Sequence, residues 1–278
     1  PILIEGPPGV GKTELANTAA LYFKKEMIRL QCYEGLDESK ALYEWRYGKQ
    51  LLYTQILKEQ MQEVLEGAKG LKESLDRLMK FEDIFFSEDF LETRPLLEAL
   101  TSEKGSVLLI DEVDKSDEEF EALLLEILSE FQISIPELGV RKADIKPLVV
   151  LTSNNSREIG DALKRRCLHL YIPFPDAKLE RQIVQARVPE ISESMQIQLV
   201  NFVQGIRELD LKKLPAISET IDWAKTVILL NSEELDAKLA EDTLNVLLKH
   251  QQDIEVVKKE IPALVSSATE TSDGKSLN

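Results

Sequence analysis

Eight consecutive residues, Gly6-Pro7-Pro8-Gly9-Val10-Gly11-Lys12-Thr13, place glycines, a lysine and a hydroxyl at the spacing of a phosphate-binding loop. The glycines let backbone N–H groups turn inward around phosphate oxygens, and a helix starting at the lysine adds its positive end. Lys12 would neutralise the β- and γ-phosphates of a bound nucleotide, and the Thr13 hydroxyl would complete a Mg²⁺ shell. The candidate ATP-binding set is therefore Gly6, Pro7, Pro8, Gly9, Val10, Gly11, Lys12, Thr13 and Glu14. An ordinary glycine-rich turn would not require the whole pattern between a strand and a helix.

Three further positions complete a possible hydrolytic site. Asp111 and Glu112 close the apolar run Val107-Leu108-Leu109-Ile110. At a strand end, Asp111 can hold Mg²⁺ through a water, and Glu112 can orient and deprotonate the attacking water. An apolar run ending in Asp-Glu is a weak motif alone; its partnership with the loop gives it meaning. Asn154 follows the apolar stretch at 148–152 and can hold the same water or the γ-phosphate. Ser153-Asn154-Asn155-Ser156 is also good turn chemistry, so both readings stand. Arg166, with Arg165 beside it, closes a predicted helix. It either reaches across a subunit boundary to stabilise transition-state charge or complements the helix C-terminus.

The surrounding pattern must position these groups. Residues 1–5 read as a buried strand, 13–25 as a helix and 27–31 as a second strand. From 37 to about 80 the pattern is helical and charged, with a helical insert at about 51–85. A helix over 90–100 precedes the strand at 107–110, which is apolar throughout, as in a strand buried on both faces of a parallel sheet. Ser116 and Glu119 predict a capping box for the next helix. A hairpin is expected between 132–135 and 140–141, a strand at 147–152, a helix at 157–165 and a last strand at 168–172. Helices are then expected at 179–186, 195–206, 217–230 and 242–250. The expected organisation is an α/β nucleotide-binding domain with a parallel sheet at 1–173, an all-helical lid at 176–252 and a C-terminal tail at 253–278, disordered at its end. A domain seldom opens on a central strand, so a segment upstream of Pro1 is expected.

Composition narrows the function. The 278 residues carry 50 acidic and 34 basic side chains, a net charge of −16, which opposes binding to phosphate backbones and anionic lipid. No apolar run reaches the length of a membrane span. Two widely separated cysteines, Cys32 and Cys167, fit a reducing cytoplasm and buried packing rather than a disulfide framework.

These four elements in this order resemble the AAA+ superfamily: Walker A at 6–13, Walker B at 107–112, sensor 1 at Asn154 and an arginine finger at Arg166. Within it the chain is most similar to the MoxR branch, through the long interval between Lys12 and Asp111 and the hairpin before Asn154. The segments Leu42-Tyr43-Glu44-Trp45, Gln50-Leu51-Leu52, Arg94-Pro95-Leu96-Leu97 and Ile133-Ser134-Ile135-Pro136-Glu137 look like a subgroup linked to maturation of carbon monoxide dehydrogenase. The resemblance implies an ATPase using ATP and Mg²⁺, with Glu112, Lys12, Asn154 and Arg166 catalytic and Thr13 and Asp111 at the metal. It also implies a hexameric ring acting as a chaperone on a protein client, with a von Willebrand factor A-type partner.

Two features depart from that branch. Its usual sensor 2 arginine follows a proline, whereas here Ala216 follows Pro215, leaving the role empty or passed to Lys212 or Lys213. The segment before the first strand, which helps hold adenine in the family, is also missing, so weakened nucleotide binding is expected. The rival reading is a nucleic-acid motor or loader of the same helix-insert clade. The charge and the few basic residues of the hairpin, Arg141, Lys142 and Lys146, weigh against it. Asp114-Lys115-Ser116-Asp117 superficially matches a guanine-specificity motif but lacks its leading Asn.

Overall fold

The computed structural model describes residues 1–65, 86–136, 138–232 and 234–270. The chain divides into two compact units: Pro1–Glu5 with Lys12–Tyr171, and Gly6–Gly11 with the residues from Ile172 onward.

In the first unit, β1 (Ile2–Glu5) is followed by α1 (Lys12–Phe23) and β2 (Glu26–Gln31). A short helix α2 (Glu38–Ala41), a strand β3 (Tyr43–Trp45) and a long helix α3 (Tyr47–Leu65) come next. Then follow β4 (Leu91–Thr93), α4 (Pro95–Thr101), β5 (Ser106–Asp111), α5 (Glu118–Glu130), the hairpin strands β6 (Gln132–Ile135) and β7 (Gly139–Lys142), β8 (Leu148–Ser153), α6 (Asp161–Lys164) and β9 (Leu168–Tyr171).

Five strands form one parallel sheet in the order β2-β5-β8-β1-β9. Every residue of β5 is buried, which explains its unbroken apolar run. Register aligns the strand ends: Gln31 lies opposite Asp111, Ile110 opposite Leu151, and Glu5 opposite Ser153. The loops leaving β1, β5 and β8 therefore start from one edge, the carboxyl edge where open α/β sheets take their ligands. Leu108, Ile110, Val149 and Leu151 supply the sheet's core side chains, against Leu97 and Leu100 of α4 and Phe120, Leu124 and Ile127 of α5.

Four local expectations require correction. The helical reading from 37 onward is broken by β3, which pairs antiparallel with β4, and the same pairing displaces the first part of the helix expected at 90–100. Trp45 is buried there and its ring meets Phe86 edge-on at 5.2 Å, so long-range pairing and packing decide the conformation of a segment too short to announce itself. The rest of the expected insert, residues 66–85, lies outside the described residues. The cap of α5 is Asp117, whose carboxylate accepts from Phe120 N at 2.9 Å; Ser116 instead donates to the Val113 carbonyl at 2.7 Å. The helix expected at 157–165 shrinks to the single turn of α6, because Arg157 is drawn to Glu121 and to the Ser116 carbonyl.

The second unit is helical beyond β9: α7 (Ala177–Arg187), α8 (Glu193–Arg207), α9 (Ile217–Leu229), α10 (Ala237–Leu247) and α11 (Gln251–Glu270). Asp176, Ser192 and Asp236 each cap a helix by accepting from the backbone N–H three residues on. The tail expected from residue 253 is a helix as far as Glu270, with Val257, Ile261 and Ala268 buried at helical spacing against the core of Phe202, Trp223 and Leu244. Residues 271–278 of that tail lie outside the described residues. Among the described residues no helix is long and apolar enough to cross a membrane.

One polar group ties three of these helices together. The Glu180 carboxylate, fully buried, accepts from Arg207 Nη1 at 2.6 Å and Nη2 at 2.8 Å, from Thr220 Oγ1 at 2.8 Å and from Gln204 Nε2 at 2.7 Å. Arg207 also donates through Nε to the Pro215 carbonyl at 2.8 Å and stacks on Phe174. Removing one partner strands the other charge in an apolar core. Glu180→Ala is expected to cost roughly 3–5 kcal/mol in urea unfolding followed by Trp223 fluorescence, while Glu180→Leu with Arg207→Met costs much less.

Candidate functional site

Glu5 ends β1, and the loop 6–11 then carries the chain to α1, whose first residues are Lys12 and Thr13. The loop needs its glycines. Gly9 has φ of +75° and a Cβ there would lie 2.5 Å from Ala216 Cβ; a Cβ on Gly6 would lie 2.1 Å from the Ile172 carbonyl oxygen. Both positions are closed to larger residues.

Lys12 and Thr13 meet the end of β5. Thr13 Oγ1 lies 3.3 and 3.4 Å from the two oxygens of Asp111. Asp111 is buried, and Thr152 on the neighbouring strand donates its hydroxyl to it. That same hydroxyl oxygen accepts from Glu112 N at 2.9 Å, so one side chain fixes both acids of the Asp-Glu pair. Glu112 sits in left-handed backbone, with φ of +56°, which turns its side chain out of the strand's alternation.

Asn154 bridges the two halves of the chemistry. Its Oδ1 accepts from Lys12 Nζ at 2.7 Å, and its Nδ2 donates to Glu112 Oε1 at 2.9 Å. A turn-forming role alone does not call for these two bonds. Asp114 builds the loop that presents it, accepting from Asn154 N at 3.2 Å, from Ser156 N at 2.9 Å and from the Ser156 hydroxyl. Burial pushes Lys12 below its ordinary pKa, against the opposing pull of Asp114, Asp111 and Glu112. The same burial and the same three carboxylates push the Cys32 thiol up to about 12, so it stays protonated and packed in the core.

Five of the sequence candidates therefore converge: Lys12, Thr13, Asp111, Glu112 and Asn154. Two others do not. Glu14 is exposed on α1, accepting from Asn17 Nδ2 at 3.4 Å. Arg166 is exposed beyond α6, with Nη1 donating to the Leu125 carbonyl at 3.4 Å, away from the cluster.

Three contributors were not anticipated from the sequence. Arg29 Nη2 reaches Asp111 Oδ2 at 2.6 Å, Gln31 Nε2 reaches Glu112 Oε2 at 2.9 Å, and Lys115 Nζ reaches the same oxygen at 2.6 Å. Arg29 and Gln31 are two apart on β2 and so share one face, a signal present in the sequence but silent until β2 is paired with β5.

The donor set suits the expected ligands. Thr13 and Asp111 present a hydroxyl and a carboxylate side by side, hard oxygens of the kind Mg²⁺ takes. Lys12 supplies a cation at the head of α1, where phosphates bind.

A strand–loop–helix phosphate site beside an Asp-Glu strand end, on a five-stranded parallel sheet, is the P-loop core of an AAA+ nucleotide-binding fold. Residues 1–167 match the AAA domain family (dynein-related subfamily), and the chain belongs to that family. A search of curated proteins finds no match. Among solved structures, the chain is similar to the Thermotoga maritima RuvB Holliday junction branch migration motor, with a TM-score of 0.51 and 17% identity over 98% of this chain and 76% of that one. A proline-to-glycine variant of Thermotoga maritima RuvB matches with a TM-score of 0.50 and 17% identity, over 96% and 74%. Those likenesses establish the fold. AAA+ domains in general bind ATP with Mg²⁺ and hydrolyse it.

Asp114 gives the cluster a pH signature. Burial alone would raise its carboxyl, but the hydrogen bonds from Ser156 and from the Asn154 backbone win and hold it below the usual carboxylate range. Its contribution is therefore complete above the unfolded value of about 4 and is lost as pH falls through the lower folded value. Asp114→Asn should cost roughly 1–3 kcal/mol in urea unfolding at pH 7, and the gap to the unsubstituted protein should narrow as pH drops from about 5.

Proposed function

We propose that this protein is an ATP-hydrolysing protomer of a MoxR-type AAA+ ring that acts as a chaperone, remodelling a client protein in the cytoplasm. The observation that carries the hydrolytic part is the run Lys12–Asn154–Glu112, with bonds of 2.7 and 2.9 Å. It joins, through two hydrogen bonds, the side chains that this reading takes as phosphate-neutralising cation, water-orienting amide and carboxylate base. In the proposed reaction Glu112 takes a proton from water as its oxygen bonds to the γ-phosphorus. The bond from that phosphorus to the β-bridging oxygen breaks, releasing ADP and phosphate. Mg²⁺ held at Thr13 and Asp111 would neutralise charge on the phosphates. Arg166, exposed beyond α6, suits a finger offered to a neighbouring protomer rather than to its own site.

The client side of the reading rests on the resemblance to the MoxR branch and on charge. A net charge of −16 favours a protein client over a nucleic-acid track. A hexameric ring and a von Willebrand factor A-type partner follow from the same resemblance, as does a metalloenzyme as the matured client. The likeness to the RuvB branch migration motor keeps a nucleic-acid motor as the alternative, and the same experiment separates the two.

Glu112→Gln should retain ATP binding while losing turnover by about 10²–10⁴-fold in a phosphate-release assay. Captured from cells with ATP present, it should bring down a von Willebrand factor A-type protein and a metalloenzyme. Recovery of DNA with replication or recombination proteins instead would replace the chaperone reading with the motor.

A further inference from the structure

Asp111 already has a cationic partner. Nη2 of Arg29 carries two hydrogens: one goes to Asp111 Oδ2 at 2.6 Å, the other to Gln31 Oε1 at 2.7 Å. The remaining approaches to the Asp111 carboxylate are taken by the Thr152 and Thr13 hydroxyls. Asp111 is nearly buried, whereas Arg29 reaches it from the solvent side with about half its side chain exposed (49% against 6%). The guanidinium occupies the solvent-facing side of the carboxylate that a hydrated divalent cation would have to approach.

We propose that Arg29 is a built-in competitor for the metal: it neutralises Asp111 when Mg²⁺ is absent and must swing away for the metal to engage. The inference rests on the reading of Asp111 and Thr13 as the metal site. Physically, a carboxylate buried at a strand end is costly without a counter-charge, so a resident cation stabilises the metal-free site. That cation then opposes a second one, by direct competition for Oδ2 and by like-charge repulsion wherever it moves nearby. Half exposure limits the effect to a modest factor and leaves Arg29 free to rotate outward without disturbing the sheet. Arg29 is thus a positioning residue that sets how much free Mg²⁺ the site needs, and it predicts a protein that responds to Mg²⁺ concentration rather than being permanently loaded.

The test is Mn²⁺ binding to the full chain in saturating ADP, read as the loss of the free Mn²⁺ electron paramagnetic resonance signal, with no turnover involved. Arg29→Gln should bind Mn²⁺ about two- to fivefold more tightly than the unsubstituted protein, the scale of one partly exposed ion pair. Arg29→Lys, which keeps a cation at the same stem, should stay close to the unsubstituted value, an outcome that loss of mere packing would not give. Equal affinity in Arg29→Gln, or weaker binding, overturns the proposal while leaving the nucleotide site intact. An unsubstituted protein that binds ADP but no Mn²⁺ overturns the metal-site reading and the proposal together.

Discussion

Two adjacent carboxylates stand at the end of a strand that is buried along its whole length, and much of the first unit is arranged around giving each of them its own partners. Two like charges brought together at a strand end repel, and burial of Asp111 weakens the screening that water would provide. The chain answers with separate partners for each. Asp111 has Arg29 and two hydroxyls; Glu112 has Lys115, Gln31 and Asn154. The left-handed backbone at Glu112 turns the two side chains apart, so that each meets a separate set of partners. Lys12, linked through Asn154, adds a third cation.

These partners arrive from β2, from β8 and the turn after it, from the turn after β5 and from the head of α1, and the parallel sheet brings them together. With Gln31 opposite Asp111, and β8 beside β5, the side chains of Arg29, Gln31, Thr152 and Asn154 all stand at one edge. Most of the ion pairs are half exposed, with Arg29 and Lys115 each at 49%, so their worth lies in orientation more than in stability. The buried pair Glu180–Arg207 belongs to a different physical regime. It accepts no solvent screening and acts as a structural pin inside the helical unit.

How much of this was legible in the sequence follows the range of the interactions. The loop at 6–13 is contiguous, so its chemistry and its strand–loop–helix setting were readable directly. The apolar run at 107–110 announced a strand covered on both faces, and with it the placement of Asp111 and Glu112. The three-residue strands β3 and β4 were not readable: nearly fifty residues apart, they exist through each other and through the packing of Trp45, and three residues are too few to show an alternating pattern. Helix α11 was mistaken for a tail because Pro262 and its polar face hid the spacing of Val257, Ile261 and Ala268. Asp117 beat Ser116 to the cap of α5 by one residue, a margin that composition does not resolve. Arg29 carried the least signal of all, since a lone arginine on a strand acquires meaning only from the strand beside it.

Ala216 follows Pro215, where the resemblance to the MoxR branch would put a phosphate-sensing arginine. Ala216 is the N-cap of α9, and its small side chain is what Gly9 faces within the helical unit. The nearest arginine upstream, Arg207, has both terminal nitrogens committed to Glu180 and its Nε to Pro215, so freeing it would unpin α7, α8 and α9 at once. Lys212 and Lys213 are fixed by their backbone N–H groups to the buried Asp253, which leaves their ammonium groups to solvent but anchors their main chain. Of the basic side chains flanking Pro215, Arg207 is thus committed to the core of the helical unit, whereas those of Lys212 and Lys213 are exposed.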